Sequence, residues 1–165
     1  MTITSATMKI CLWFDNQAEE AVQFYTSIFS NSTIGAISRY GKEGFEFHKM
    51  PEGTALTVQF WLNGMEFLAL NGGPKYTFNE SISIVVTVDT QKEIDYIWEK
   101  LTDGGEETHC GWLKDKYGLS WQIVPSQLGK WMSSTDSAAV QRVTAAYLQM
   151  QKFDISTLER AYKGS

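Results

Sequence analysis

Along this chain, short alternating or wholly apolar runs trade places with segments whose apolar positions recur three and four residues apart. KICLWF (9–14) is β-favouring and stops at Asp15-Asn16, which predicts a strand. The next segment puts Ala18, Ala21, Val22, Tyr25, Ile28 and Phe29 at helical spacing, with Gln17, Glu19, Glu20 and Gln23 opposite. Asn16 is the expected N-cap, and the acidic pair suits the positive end of the helix dipole. TIGAISRY (33–40), TALTVQFWL (54–62) and MEFLALN (65–71) predict three further strands, with a glycine-bounded loop at 41–53. Asn63-Gly64 joins the last two, because both residue types tolerate the positive φ of a two-residue hairpin. After NGGPKYTFNE (71–80) the cycle restarts. SISIVVTV (81–88) predicts a strand, Asp89-Thr90 a cap, and KEIDYIWEKL (92–101) a helix with Ile94, Ile97, Trp98 and Leu101 on one face. Gly104-Gly105 ends that helix, and two or three short strands run through THCGWLKD and LSWQIV.

In outline, residues 8–71 form a βαβββ module and residues 81–124 a second, shortened one, an internal repeat with a period of about 70 residues. The expected fold class is α+β. Each half turns one sheet face to its own helix and the other toward its partner half, so a cavity is expected where two curved sheets meet. Residues 125–165 form a helical extension. TDSAAVQRVTAAYLQMQ (135–151) spaces Val140, Val143, Tyr147 and Met150 helically, and DISTLERAYK (154–163) is capped by Asp154. This pair either docks on its own domain or covers a partner subunit. Residues 1–7, small and polar, are expected to be a disordered leader, and the whole is expected to form one compact domain.

Composition narrows the function classes. Apolar residues make up 43% and charged ones 20%, enough apolar surface for a folded core. The net charge of −5 comes without any basic run, which argues against nucleic acid as a partner. The N-terminus lacks the pattern of a secretory signal and no apolar run approaches spanning length, so no membrane partner and a cytoplasmic location are expected. Cys11 and Cys110 belong to no CxxC pair, as expected of reduced thiols.

Three stretches, CLWFDNQAEEAVQFY, FLALNGGPKYTFNESIS and GGEETHCGWLKDKYGLSWQIVP, together resemble the PhnB-like branch of the vicinal oxygen chelate superfamily, which includes glyoxalases, extradiol dioxygenases and bleomycin-resistance proteins. The resemblance covers nearly the whole chain. It implies paired βαβββ modules in the glyoxalase/bleomycin-resistance fold, often assembled as homodimers. Many members carry the label demethylubiquinone methyltransferase. A methyltransferase using S-adenosylmethionine normally needs a glycine-rich turn between a strand and a helix; Gly72-Gly73 precedes a proline, and Gly104-Gly105 follows a helix, so methyl transfer is not expected.

The resemblance also implies where a metal would sit. Metal-dependent relatives place one ligand on the first strand and one on the last strand of each module, and these positions fall on Lys9 or Ile10, Ala69, Ser83 and Gln122. None is His, Asp or Glu. Zinc, iron and nickel need imidazole, thiolate or carboxylate donors at converging positions, so no metal and no cofactor are expected. His48, and His109 beside Cys110, have no second ligand at useful spacing. The pocket is then expected to be lined by Cys11, Trp13, Phe67, Ala69, Asn71, Ser83, Val85, Thr87, Ser120 and Gln122, with Ile84, Val86, Val88, Trp121, Ile123, Leu68 and Leu70 packed on the helices. Asn71 also reads as a turn residue, and Ser83 and Thr87 as core hydroxyls. Such a lining suits a small, partly aromatic or carbonyl-bearing ligand. Three readings stay open: a metal-free small-molecule binder, a metal-independent lyase or isomerase-like enzyme, and a dimeric scaffold with a filled cavity.

Overall fold

The computed structural model describes residues 5–165 and resolves into two compact units, one ending at Thr77 and the other running from Phe78 to Ser165. The expectation of a disordered leader falls, for residues 1–4, outside the described residues.

The first unit contains β1 (Ile10–Phe14), α1 (Ala18–Ile28), β2 (Ser32–Arg39), the short α2 (Phe45–His48), β3 (Ala55–Leu62) and β4 (Met65–Asn71). Its sheet has the order β1-β4-β3-β2, with β1 parallel to β4 and the other pairs antiparallel. Asn63 and Gly64 turn the β3–β4 hairpin with φ of 46° and 85°, the two positive values that a twist-matched tight turn demands. α1 lies on the row Leu12, Phe14, Val58, Phe60, Phe67 and Ala69. Tyr25 stacks on Phe60 at 6.4 Å between centroids, and Phe60 on Phe67 at 5.1 Å. Burying a side chain such as Val22 there contributes roughly 1.5–3 kcal/mol. The α1 N-terminus is held differently from the expectation. Gln17 occupies the cap position without a side-chain bond, and the Ala18 amide donates instead to Asn71 Oδ1 at 2.8 Å, so a residue distant in sequence replaces Asn16.

The second unit contains β5 (Ser83–Val88), α3 (Gln91–Thr102), β6 (Glu106–Glu107), β7 (Trp112–Lys114), β8 (Ser120–Pro125), α4 (Ser126–Met132), α5 (Ser137–Tyr147) and α6 (Ile155–Lys163). Its sheet order, β5-β8-β7-β6, repeats that of the first, again with the outer pair parallel. Thr90 and Glu93 form a reciprocal capping box at the start of α3, and Asp154 caps α6 through the Thr157 amide at 2.6 Å. Ile94, Ile97, Trp98 and Leu101 bury the apolar face of α3 with Leu113, Trp121 and Ile123. The 115–118 turn is built on buried Asp115, whose carboxylate accepts from the Tyr117 and Leu119 amides and from Trp121 Nε1 at 2.9, 3.0 and 2.8 Å. The charged stretch KDKYG thus makes a turn whose aspartate is part of the interior.

The C-terminal helices dock on their own unit. The Cys110 and Gly111 amides donate to the Met150 and Gln151 carbonyls, the Gln91 side chain bridges Phe153 O and the Ile155 amide, and Lys152 pairs with Asp95 at 2.6 Å. α4 had no periodic signal strong enough to be expected. Among the described residues, no helix is long and apolar enough to cross a membrane.

Candidate functional site

Strand pairing decides which residues share a face, because directly paired residues stand side by side on the same surface of a sheet. In the second sheet, Ser83 pairs with Ser120, Val85 with Gln122 and Thr87 with Val124, while Ile84 and Val86 pair with Trp121 and Ile123. Ser83, Val85, Thr87, Ser120 and Gln122 therefore lie together on the face turned away from α3. Gln122 Nε2 donates to Ser83 Oγ at 2.8 Å. The Ser120 hydroxyl is buried and has no hydrogen-bond partner among the described residues.

In the first sheet the expected set divides. Cys11 pairs with Leu68 and Trp13 with Leu70, on the face turned away from α1. Phe67, Ala69 and Asn71 pair instead with Ile10, Leu12 and Phe14, in the row beneath α1. All three are buried there, so the expected division of β4 is reversed: Leu68 and Leu70 stand with Cys11 and Trp13, and Phe67, Ala69 and Asn71 belong to the helix-packed core. The physical reason is the period of two, under which a one-residue error in register exchanges every side chain between faces. Asn71 is a clamp: its Oδ1 accepts from the Ala18 amide, its Nδ2 donates to Ala55 O at 2.9 Å, and its own carbonyl accepts from Tyr40 OH at 2.6 Å.

Trp13 packs against the bend after β4, donating from Nε1 to Gly73 O at 2.8 Å and meeting Tyr76 edge-on at 5.0 Å. Its indole lies so close to Gly72 that a Cβ there would come within 2.2 Å of the ring. Partial burial pushes the Cys11 thiol up from its ordinary value, which keeps it protonated and poorly nucleophilic.

Several residues were not singled out from sequence. In the first sheet, Glu66 accepts from Lys9 and, at 2.6 Å, from Gln59 Nε2; the Lys9 ammonium and then the Gln59 amide hold its carboxyl below the usual range. In the second, Trp112 and Lys114 stand in the rows of Gln122 and Ser120. Lys114 pairs with Glu80, which lowers the carboxyl and raises the ammonium. The available signal was alternation within each strand, since counting by twos from Leu68 reaches Glu66 and from Trp112 reaches Lys114.

The same registers test the metal positions. Ile10 is in the α1-facing row, which leaves Lys9 on the opposite side, and the residue related to Cys11 as Gln122 is to Val85 is Leu68 rather than Ala69. An ammonium, an alkyl chain, a hydroxyl and an amide do not fit zinc, iron or nickel. Among the described residues, no group of three or more His, Cys, Asp and Glu could hold a metal ion. His48 accepts the Met50 amide at Nδ1, while His109 is exposed on the 108–111 loop.

Residues 6–124 match the sequence profile of the family described as 3-demethylubiquinone-9 3-methyltransferase. The chain belongs to this family. It is the PhnB-like branch of the vicinal oxygen chelate superfamily, and the fold is that of the glyoxalase/bleomycin-resistance proteins. The PhnB protein of Bacillus cereus is 37% identical over 73% of this chain and 100% of its own, with a TM-score of 0.66. Two more distant structures share the fold. Protein PA1353 of Pseudomonas aeruginosa is 18% identical over 73% of this chain and 98% of its own, with a TM-score of 0.58. The fosfomycin resistance protein FosX of Listeria monocytogenes is 15% identical over 80% of this chain and 100% of its own, with a TM-score of 0.54. A comparison with curated proteins found no match.

Proposed function

We propose that this PhnB-like protein binds a small organic molecule without a metal, on the face of its second sheet turned away from α3. The observation that carries the reading is the buried, unpartnered Ser120 hydroxyl beside the Gln122–Ser83 hydrogen bond. A buried polar group without a partner is destabilising, and a ligand carbonyl or hydroxyl would relieve it. Val85 and Trp112 supply apolar contact in the same rows, so the favoured ligand is uncharged, with a carbonyl or hydroxyl on an apolar body. Cys11, Trp13, Leu68 and Leu70 are the corresponding candidates on the first sheet.

Binding is favoured over a lyase or isomerase activity because proton transfer near neutral pH wants a group poised to titrate there, and the Cys11 shift runs the other way. Methyl transfer from S-adenosylmethionine is also disfavoured. The β1–α1 turn is Asp15-Asn16-Gln17 and the β5–α3 turn is Asp89-Thr90, neither with glycine. The Ala18 amide at one helix start and the Glu93 amide at the other are already engaged by Asn71 and Thr90.

A thermal-shift screen of small carbonyl compounds against protein purified without chelator tests the reading, with elemental analysis of the same sample. At least one compound is expected to stabilise the wild type, and Ser120→Ala and Gln122→Leu to remove that stabilisation. A stoichiometric transition metal whose removal abolishes binding, or a titration showing S-adenosylmethionine bound, would overturn it.

A further inference from the structure

A second site is built from the first unit alone and does not rest on the Ser120 and Gln122 reading. Where the β1–α1 turn, the exit from α2 and the bend after β4 come together, they line a solvent-open cavity of about 460 Å³, a volume ordinary for a small-molecule site. Met50, Pro51 and Pro74 supply its apolar lining. His48 forms a fixed wall: its Nδ1 accepts from the Met50 amide at 3.0 Å, its Nε2 lies 3.1 Å from Glu43 O, and the Tyr40 ring lies against it, tilted by 33°, at 4.3 Å between centroids. With Nδ1 accepting, the neutral ring carries its proton on Nε2 and donates it to the Glu43 carbonyl.

The charged lining residues are Asp15 and Lys49. Among the described residues neither has an ion-pair partner, and the only approach of the Lys49 ammonium is to the Phe45 ring, at 5.9 Å. Lys49 also holds a φ of 58° at the exit of α2, a conformation at which glycine is the usual residue. One carboxylate and one ammonium on an otherwise apolar and neutral lining complement a molecule carrying both charges.

We propose that this cavity binds a small zwitterion of the amino-acid class, either a free apolar amino acid or a dipeptide. Asp15 receives its ammonium, Lys49 its carboxylate, and Met50, Pro51 and Pro74 its side chain. Calorimetric titration of the whole protein with leucine and with leucyl-leucine tests this, using N-acetylleucine and leucinamide as probes that each lack one charge. The zwitterions are expected to bind, with each singly charged probe weaker by about tenfold or more, as befits loss of a charge-assisted contact. Asp15→Asn and Lys49→Gly are expected to weaken leucine binding by a similar factor. Both variants are chosen to keep the fold: Asp15→Asn retains the backbone carbonyl that accepts from the Gly73 amide, and Lys49→Gly puts glycine at a positive φ. Gln122→Leu is expected to leave leucine binding intact, which separates this site from the other. Absence of binding by both zwitterions, or unchanged affinity in both charge variants, would refute the assignment.

Discussion

Replacing Asn71 by alanine distinguishes an interior clamp from a ligand-facing amide. The side chain is 1% exposed and satisfies the Ala18 amide, itself fully buried at the start of α1, and the Ala55 carbonyl at the start of β3. Truncation leaves one buried donor and one buried acceptor unpaired, each costing about 1–3 kcal/mol, so a loss of roughly 3 kcal/mol is expected. For a chain of this size that corresponds to a fall in Tm of about 6–12 °C. Urea denaturation followed by circular dichroism reads the loss directly. Asn71→Asp is a sharper companion: the carboxylate still accepts from the Ala18 amide but meets the Ala55 carbonyl without a proton to offer, so it should be at least as destabilising. A change of less than about 0.5 kcal/mol for Asn71→Ala would refute the clamp and return the residue to the list of binding positions.

Two glycines make a matched pair. Gly64→Ala meets nothing within 4 Å and carries only the conformational penalty of φ 85°, so a loss near 1 kcal/mol is expected in urea titration. Gly111→Ala adds to φ 81° a Cβ placed 2.4 Å from Phe153 and 2.9 Å from Ile123 O, and is expected to lose more than about 2 kcal/mol and to speed proteolysis of the C-terminal helices. Acid should weaken the fold. Hydrogen bonds from Thr90 lower the Glu93 carboxyl, those from Thr157 lower Asp154, and Lys9 lowers Glu66, so each contributes stability that is complete above the ordinary carboxylate range of about 4 and is lost as pH falls through the lower folded values. Melting curves from neutral pH downward check this, and Thr90→Ala should flatten the acid limb.

Much of the fold was legible because its periods differ sharply: KICLWF and SISIVVTV alternate or run apolar, whereas Ala18 to Phe29 and Ile94 to Leu101 recur helically. Caps at Thr90 and Asp154 were legible because their bonds are local. The α1 cap was not, since Asn71 reaches it only after the chain has folded back through three further strands. MEFLALN was ambiguous for a related reason. Phe67 and Ala69 on one side and Leu68 and Leu70 on the other are both apolar sets, and intrinsic hydrophobicity favours the leucines for the core. Pairing with Lys9, Cys11 and Gln59 decides otherwise, and Glu66, an ionised side chain in the leucine row, was the local clue. In the second sheet Ser83 and Gln122 interrupt one alternation only, so that register could be read directly.

The family match stops at residue 124, yet the chain beyond it is stitched into what comes before. A fragment trimmed to the matched length would bare the Cys110 and Gly111 amides, strip the Gln91 side chain of its bridge, and leave the wall that Phe153 occupies without a neighbour. In this protein the appended helices have ceased to be an accessory, and deletion from the C-terminus is therefore a lesion in the second unit itself.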